Sequence, residues 1–384
     1  MIPIMAPFIG EEEANAASAV VLSGWLSQGA EVAAFEREFA AAVGSEHACA
    51  VSNCTVALHL ALLAVGVGPG DEVVLPSHTF IACANVVRQC GAVPVFVDID
   101  PDTFNMKPEL VAAAITKRTK AIMCIHQMGM PCDMEALVPL ARDREIAIVE
   151  DAACAIGSEI RVNGEWERIG RPFGEVACFS LHPRKLLTVG DGGMLTTADS
   201  GIDRLFRLLR QHGMSVSDAV RHSSRTVILE EYPVPGYNYR LTDVQAAIGR
   251  AQLRRLDDIV ARRRELAQSY HRMLADIPGV KVPEEPVWAR TNWQSYCVRL
   301  PEGTDQRDVM QKMLDQGVAT RRGIMCAHLE RAYSDHDLRF PLPESEKAHR
   351  ECILLPLFHT MTEDMQSQVI SSLKAALSRT PALV

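Results

Sequence analysis

The sequence predicts an α/β protein with a mostly parallel, seven-stranded sheet between helices, followed by a smaller C-terminal α+β unit. Three observations carry this. From Ala48 to about Thr197, short β-rich runs alternate with helical patterns, the signature of parallel strands joined by crossover helices. Several of those runs are nearly continuous in apolar residues, as strands buried on both faces must be. After Thr197 the alternation stops, and Thr242 to about Asp276 reads as one or two long helices dense in Arg, Leu and Ala.

The expected strands are Ala48–Val51, Glu72–Leu75, Val93–Val97, Ala121–Ile125, Ile146–Glu150, Ala177–Ser180 and Gly193–Thr196. Helices fit between them at Thr55–Ala64, Thr79–Gln89, Pro108–Ile115 and Met134–Arg144, with turn chemistry such as Gly68-Pro69-Gly70-Asp71 marking the joins. Beyond Val280 a strand (Tyr296–Leu300), two helices (Gln306–Gln316 and Thr362–Leu377) and Pro-rich loops predict the smaller unit. The chain thus divides into a large domain, 1–250, and a small domain, 251–384, that includes the linking helix.

A chain of 384 residues with 48% hydrophobic content can bury a large core. Its formal charge of −9 is interspersed along the chain, which argues against a nucleic-acid or membrane surface. Met1 to Gly10 lacks a basic flank followed by an apolar stretch, and no apolar run reaches the length of a membrane span, so a cytoplasmic protein is expected. The eleven cysteines are scattered singly, without a CxxC pair or a His/Cys ligand cluster, and read as reduced, buried thiols.

Three segments carry chemistry. Phe179-Ser180-Leu181-His182-Pro183-Arg184-Lys185 follows a strand and runs on to Gly190-Asp191-Gly192-Gly193. Alone, such a lysine reads as solvated and the glycines as turn residues. Upstream, Asp151 stands just past the carboxyl end of a buried strand, the edge at which open α/β sheets bind ligands, although a helix cap is the plainer reading. Third, Ser52-Asn53-Cys54-Thr55-Val56 is a strand-to-helix turn whose free N–H groups suit a phosphate, or simply an N-cap. Together the three supply a phosphate cradle, an acid and a primary amine on one sheet edge.

With these segments in place, the sequence resembles the DegT/DnrJ/StrS family of sugar aminotransferases, which use pyridoxal 5'-phosphate (PLP) and have the fold-type-I aspartate aminotransferase fold. The resemblance runs from about Pro7 to the C-terminus. It also includes Gly24-Trp25-Leu26-Ser27-Gln28-Gly29, Pro76-Ser77-His78-Thr79-Phe80-Ile81-Ala82, Gly236-Tyr237-Asn238-Tyr239-Arg240-Leu241-Thr242-Asp243 and Leu354-Leu355-Pro356-Leu357.

The resemblance implies roles. Lys185 is the Schiff-base lysine, which must lose its proton to act, so a cationic cofactor environment or desolvation is expected to lower its pKa. Asp151 pairs with the pyridine nitrogen and Phe80 stacks on the ring. Ser180 and the Thr55–Val56 backbone hold the phosphate, and Cys154 lies near the ring where relatives carry Gln or His. Asn238 reaches the phosphate of a neighbouring subunit, so a homodimer with shared active sites is implied. His182, the pair Arg321 and Arg322, and His328 are candidates for substrate contact, with packing or a solvated face as the plain alternatives.

Departures include Cys54 for Gly and Asp191 for Glu, while Lys185 argues against the dehydratase branch, which has His there. The function implied is amino transfer, with L-glutamate as donor, onto a nucleotide-linked keto-deoxysugar such as a 4-keto-6-deoxyhexose. An unlinked keto-sugar or keto-cyclitol is the alternative acceptor. A non-catalytic PLP-binding regulatory protein is the reading from another class.

Overall fold

The structure is a computed structural model that describes residues 1–378, so the last residues of the expected small domain, 379–384, lie outside it. Two helices, α1 (Glu11–Ser23) and α2 (Ala30–Val43), open the chain. Strand–helix units follow: β1 (His47–Val51), α3 (Cys54–Ala64), β2 (Glu72–Pro76), α4 (Ala82–Gln89), β3 (Val93–Val97), α5 (Pro108–Ala114), β4 (Thr119–Ile125), α6 (Met134–Arg142) and β5 (Ala147–Asp151). A hairpin, β6 (Glu159–Val162) and β7 (Glu165–Arg168), precedes β8 (Val176–Ser180), β9 (Gly193–Thr197), α7 (Ser200–Leu209) and the short α8 (Asp218–Ser223). Then come α9 (Asp243–Leu253), α10 (Leu256–Leu274), β10 (Ala289–Arg290), β11 (Tyr296–Arg299), α11 (Gln306–Asp315), β12 (Arg321–Arg322), α12 (Pro343–Glu351), β13 (Cys352–Leu355) and α13 (Glu363–Leu377).

All seven expected strands form one sheet, in the order β1-β9-β8-β5-β4-β2-β3. The sheet is parallel except at β9, which runs antiparallel to both neighbours. Strands such as β2 and β9 are buried along their whole length, because apolar clusters cover both faces. One cluster joins α2, α6 and α9 to the sheet, and the other joins α3, α4 and α7. A three-stranded sheet, β11-β13-β12, packs its own core with α10, α11 and α13 around Tyr270, Tyr296 and Leu373.

Several details differ from expectation. The helix expected from Thr79 starts only at Ala82, because Thr79 N–H turns back to the Ser77 carbonyl and Phe80 swings out of line. The helices α1 and α2 and the β6–β7 hairpin, to which β10 adds a third strand, were not anticipated. The expected division at 250/251 falls inside α9. The change of core comes instead along α10, where Ile259 and Val260 pack under the large sheet while Leu266 and Tyr270 pack in the C-terminal core. Among the described residues no helix is long and apolar enough to cross a membrane.

Candidate active site

The loops that leave the carboxyl ends of β1, β2, β4, β5 and β8 meet at one edge of the large sheet, where β9 also begins. They enclose a cavity of about 520 Å³, within the range of small-molecule sites. Its far wall comes from the C-terminal unit, 321–325 with Leu354, Leu355 and Leu357, and Ile4 and Met5 close the side. A more open hollow of about 710 Å³ lies between α1, α9 and Trp25. Its main charged groups are already committed: Asp243 accepts the N–H groups of Gly29, Glu31 and Val32, and Arg250 pairs with Glu31 and Glu38. The chemistry-bearing residues are in the first cavity.

Asn53 caps α3, its side chain accepting the N–H of Val56 at 3.0 Å. That bond spends the Val56 N–H, and Val56 does not line the cavity, so the cradle read from the sequence shifts back by one residue. The N–H groups of Cys54 and Thr55 have no partner among the described residues, and both residues line the cavity. Ser180 enters from the end of β8, opposite Gly193 of β9. A Cβ on Gly193 would lie 2.5 Å from the Asn53 carbonyl, so only glycine lets β9 pass this close to the start of α3.

Asp151 ends β5 and is 6% exposed. Its Oδ1 accepts the Ala153 N–H at 2.9 Å and its Oδ2 accepts the Cys83 thiol at 2.9 Å. Lys185 sits in the loop between β8 and β9, and its Nζ donates to Cys154 Sγ at 3.0 Å. The loop is held by Val189 N–H on the Leu181 carbonyl at 3.0 Å and by Gln294 Nε2 on the Arg184 carbonyl at 2.9 Å.

Burial pushes the Lys185 ammonium towards losing its proton, but Cys154, Asp151 and Cys54 outweigh it, and the pKa lies above the ordinary lysine value. Burial thus acts in the expected direction, while the groups of the chain that face the amine favour its charged form. Pairing Asp151 with a ring cation would remove part of that stabilisation and release the amine.

Phe80, 62% exposed, overhangs the cavity with an uncovered ring. His182, Arg321 and Arg322 also line it. His182 Nδ1 accepts the Arg184 N–H at 3.2 Å, and burial with Arg184 and Lys185 nearby lowers its pKa despite Asp191. Arg322 reaches Glu330 at 3.2 Å, whereas Arg321 and the neighbouring Arg184 have no ion-pair partner among the described residues. Arg184 was not singled out from the sequence.

Two sequence candidates lie elsewhere. His328 is turned away from the cavity, its Nδ1 2.6 Å from Ser77 Oγ and its side chain 5% exposed, and it fastens the C-terminal unit to the end of β2. Asn238 is exposed outside the cavity of its own chain, its side chain accepting from Arg240 at 3.3 Å.

These groups fit PLP: two unspent N–H groups and a hydroxyl for the phosphate, a buried carboxylate for the ring nitrogen, an uncovered aromatic face and an amine. Comparison with known proteins agrees. The spore coat polysaccharide biosynthesis protein SpsC of Bacillus subtilis (strain 168) is 36% identical over 379 residues, covering 97% of this chain and 96% of that protein. The aminotransferase TlmJ from Streptoalloteichus hindustanus superposes with a TM-score of 0.89 at 36% identity, over 98% of this chain and 99% of its own. Spr1654 from Streptococcus pneumoniae, in its PLP form, gives a TM-score of 0.89 at 26% identity over 98% of each chain. Residues 7–374 match the model of the DegT/DnrJ/EryC1/StrS aminotransferase family, and the chain belongs to that family.

Proposed function

We propose that this aminotransferase uses PLP to move an amino group from L-glutamate onto a nucleotide-linked keto-deoxysugar, a 4-keto-6-deoxyhexose in the simplest case. In this reading it acts in the cytoplasm as a homodimer whose Asn238 serves the partner's phosphate site. One observation carries the reading: Lys185, Asp151, Ser180 and the start of α3 meet in a single cavity whose rim bears Arg184, Arg321 and Arg322. The relatives lend support from their names, SpsC through polysaccharide biosynthesis and Spr1654 as a sugar aminotransferase.

When bound, PLP supplies a conjugated pyridinium that takes up the electron pair left on the substrate carbon. The protein supplies the rest. Asp151, shielded from water, holds the proton on the ring nitrogen. The N–H groups of Cys54 and Thr55, with Ser180 Oγ, anchor the phosphate at a helix N-terminus, where the dipole favours an anion. Lys185 Nζ, once free, moves a proton between the substrate carbon and the cofactor's C4′. Cys154 Sγ offers the free amine a hydrogen-bond acceptor at 3.0 Å, so that it stays oriented.

The rim arginines favour a diphosphate over an unlinked keto-cyclitol, which has no anion for guanidinium forks to grip. Neutralising Arg321 and Arg322 together, as Gln, is expected to raise KM for the nucleotide sugar roughly tenfold to hundredfold, the loss of one charge-assisted bond of about 1.5–3 kcal/mol. The glutamate half-reaction should be nearly unchanged. Steady-state kinetics with a panel of nucleotide-linked keto sugars, following 2-oxoglutarate release, checks this. Failure of the glutamate half-reaction would assign the pair to donor recognition, and no change in either would make the pair a solvated face, with the diphosphate held elsewhere.

A further inference from the structure

The carboxylate of Asp151 meets a second side chain that family resemblance did not mark. Cys83, 1% exposed in the first turn of α4, donates its thiol to Oδ2 at 2.9 Å across a sequence separation of 68 residues. Burial and the nearby carboxylate hold that thiol well above its ordinary pKa, so the proton stays on sulfur. Thr79 Oγ1 lies 3.2 Å from the same sulfur and completes a hydroxyl, thiol and carboxylate chain in the cavity wall. The opposite oxygen, Oδ1, is held by the Ala153 N–H at 2.9 Å.

A carboxylate loses basicity in proportion to the strength of the donors it accepts. A backbone N–H is a strong donor and a thiol S–H is a weak one. At Oδ2, therefore, the carboxylate is held in place while most of its charge remains on the oxygen. With Asp151 only 6% exposed, little water competes for that charge. We propose that Cys83 is a positioning residue that sets how firmly Asp151 holds the proton on the PLP ring nitrogen, by giving Oδ2 a donor too weak to drain its charge. This rests on the reading that Asp151 faces the ring nitrogen.

The test uses the full-length protein loaded with PLP carrying 15N in the ring, the ring resonance being read by NMR across pH. The wild type should show a protonated ring nitrogen. Cys83→Ser, a stronger donor in the same place, should move the resonance towards the unprotonated position and lower the pH of deprotonation by about one unit, a tenfold change. Cys83→Ala, with no donor, should leave the resonance at the wild-type position or shift it the other way. Should the serine variant fold poorly, Cys83→Thr supplies the hydroxyl and restores volume. Equal resonances in the wild type and the hydroxyl variants, or the same displacement for hydroxyl and alanine variants, would overturn the proposal and leave Cys83 as packing. Asp151→Asn separates the two levels. If it displaces the resonance while the Cys83 variants do not, only the proposal falls; if Asp151→Asn leaves the resonance unmoved, the assignment of Asp151 falls with it.

Discussion

Lys185 carries its amine into a cavity where every polar contact has been placed by another part of the chain. Cys154 receives it, Asp151 holds its charge, and Gln294 clamps the backbone one residue before it. Borohydride treatment of the PLP-loaded protein should therefore fix the cofactor on the peptide that contains Lys185, as mass spectrometry of the digest would show. Label on another lysine would remove the central assignment. At this scale the candidate groups were easier to read from the sequence than the side chains they meet. Asp151 ends one recognisable strand and Lys185 follows another, whereas the contact of Cys83 with Asp151 joins α4 to β5 across 68 residues. Buried cysteine reads as a small hydrophobe, and no local pattern reports which carboxylate it faces. The Thr79-to-Cys83 spacing within one expected helix was the available signal.

Among the elements, α2 shows how a helix is tied to a strand edge. It buries Val32, Phe35, Phe39 and Val43 on one face, and on the same face the carboxylate of Glu36. Glu36 accepts the N–H of Ala50 in β1 at 2.9 Å, receives Arg207 of α7 at 2.6 Å, and pairs with the buried Arg210. Burial pushes the Glu36 carboxyl up, but the two guanidiniums more than offset it and its pKa lies below the ordinary glutamate value.

A depressed folded-state pKa means that the contribution to stability is complete above the unfolded value, about 4.3, and fades as pH falls through the folded one. Glu36→Ala should cost about 3–5 kcal/mol at neutral pH because it strands a buried guanidinium. Denaturant titrations at pH 7 and in acid should show that gap narrowing as pH drops below about 4. The spacing of α2's apolar residues is plainly helical, and Val162-Asn163-Gly164-Glu165 is a hairpin signal, with Asn163 and Gly164 both at positive φ. Helix α2 precedes the alternating strand–helix pattern and the hairpin interrupts it between β5 and β8, so neither follows its rhythm.

Taken whole, the molecule builds its cavity from two units. Asp98 accepts the N–H groups of Glu344 and Ser345 at the start of α12, and Asn292 Nδ2 donates to the carbonyls of Cys154 and Ile156. With the Ser77–His328 contact, these bonds bring the wall that carries Arg321 and Arg322 over the sheet edge. The strands of the large sheet were legible because each hydrophobic run is local. The second wall was not, because it depends on bonds spanning more than a hundred residues.

The proposed dimer adds a further level, tested by mixing variants. Lys185→Ala and Asn238→Ala homodimers should both be impaired, the second chiefly in PLP retention. A verified heterodimer of the two has one site with both lesions and one with neither, so activity should return to about half that of the wild type. No recovery would place Asn238 in the service of its own chain.

The reversed direction of β9 has a consequence for how such an enzyme can be remodelled. Because β8 and β9 are antiparallel neighbours, Ser180 pairs with Gly193, and residues 181–192 leave and rejoin the sheet at the same rung. The lysine therefore rides on a loop bolted at its base by Leu181 and Gly192, whose backbones are bonded at 2.8 Å, and braced from outside by Gln245 and Gln294. A crossover connection would have carried the lysine through the layer of helices. The hairpin arrangement instead lets the segment be exchanged as a piece, with its hinges at Ser180 and Gly193 and the scaffold beneath left as it was.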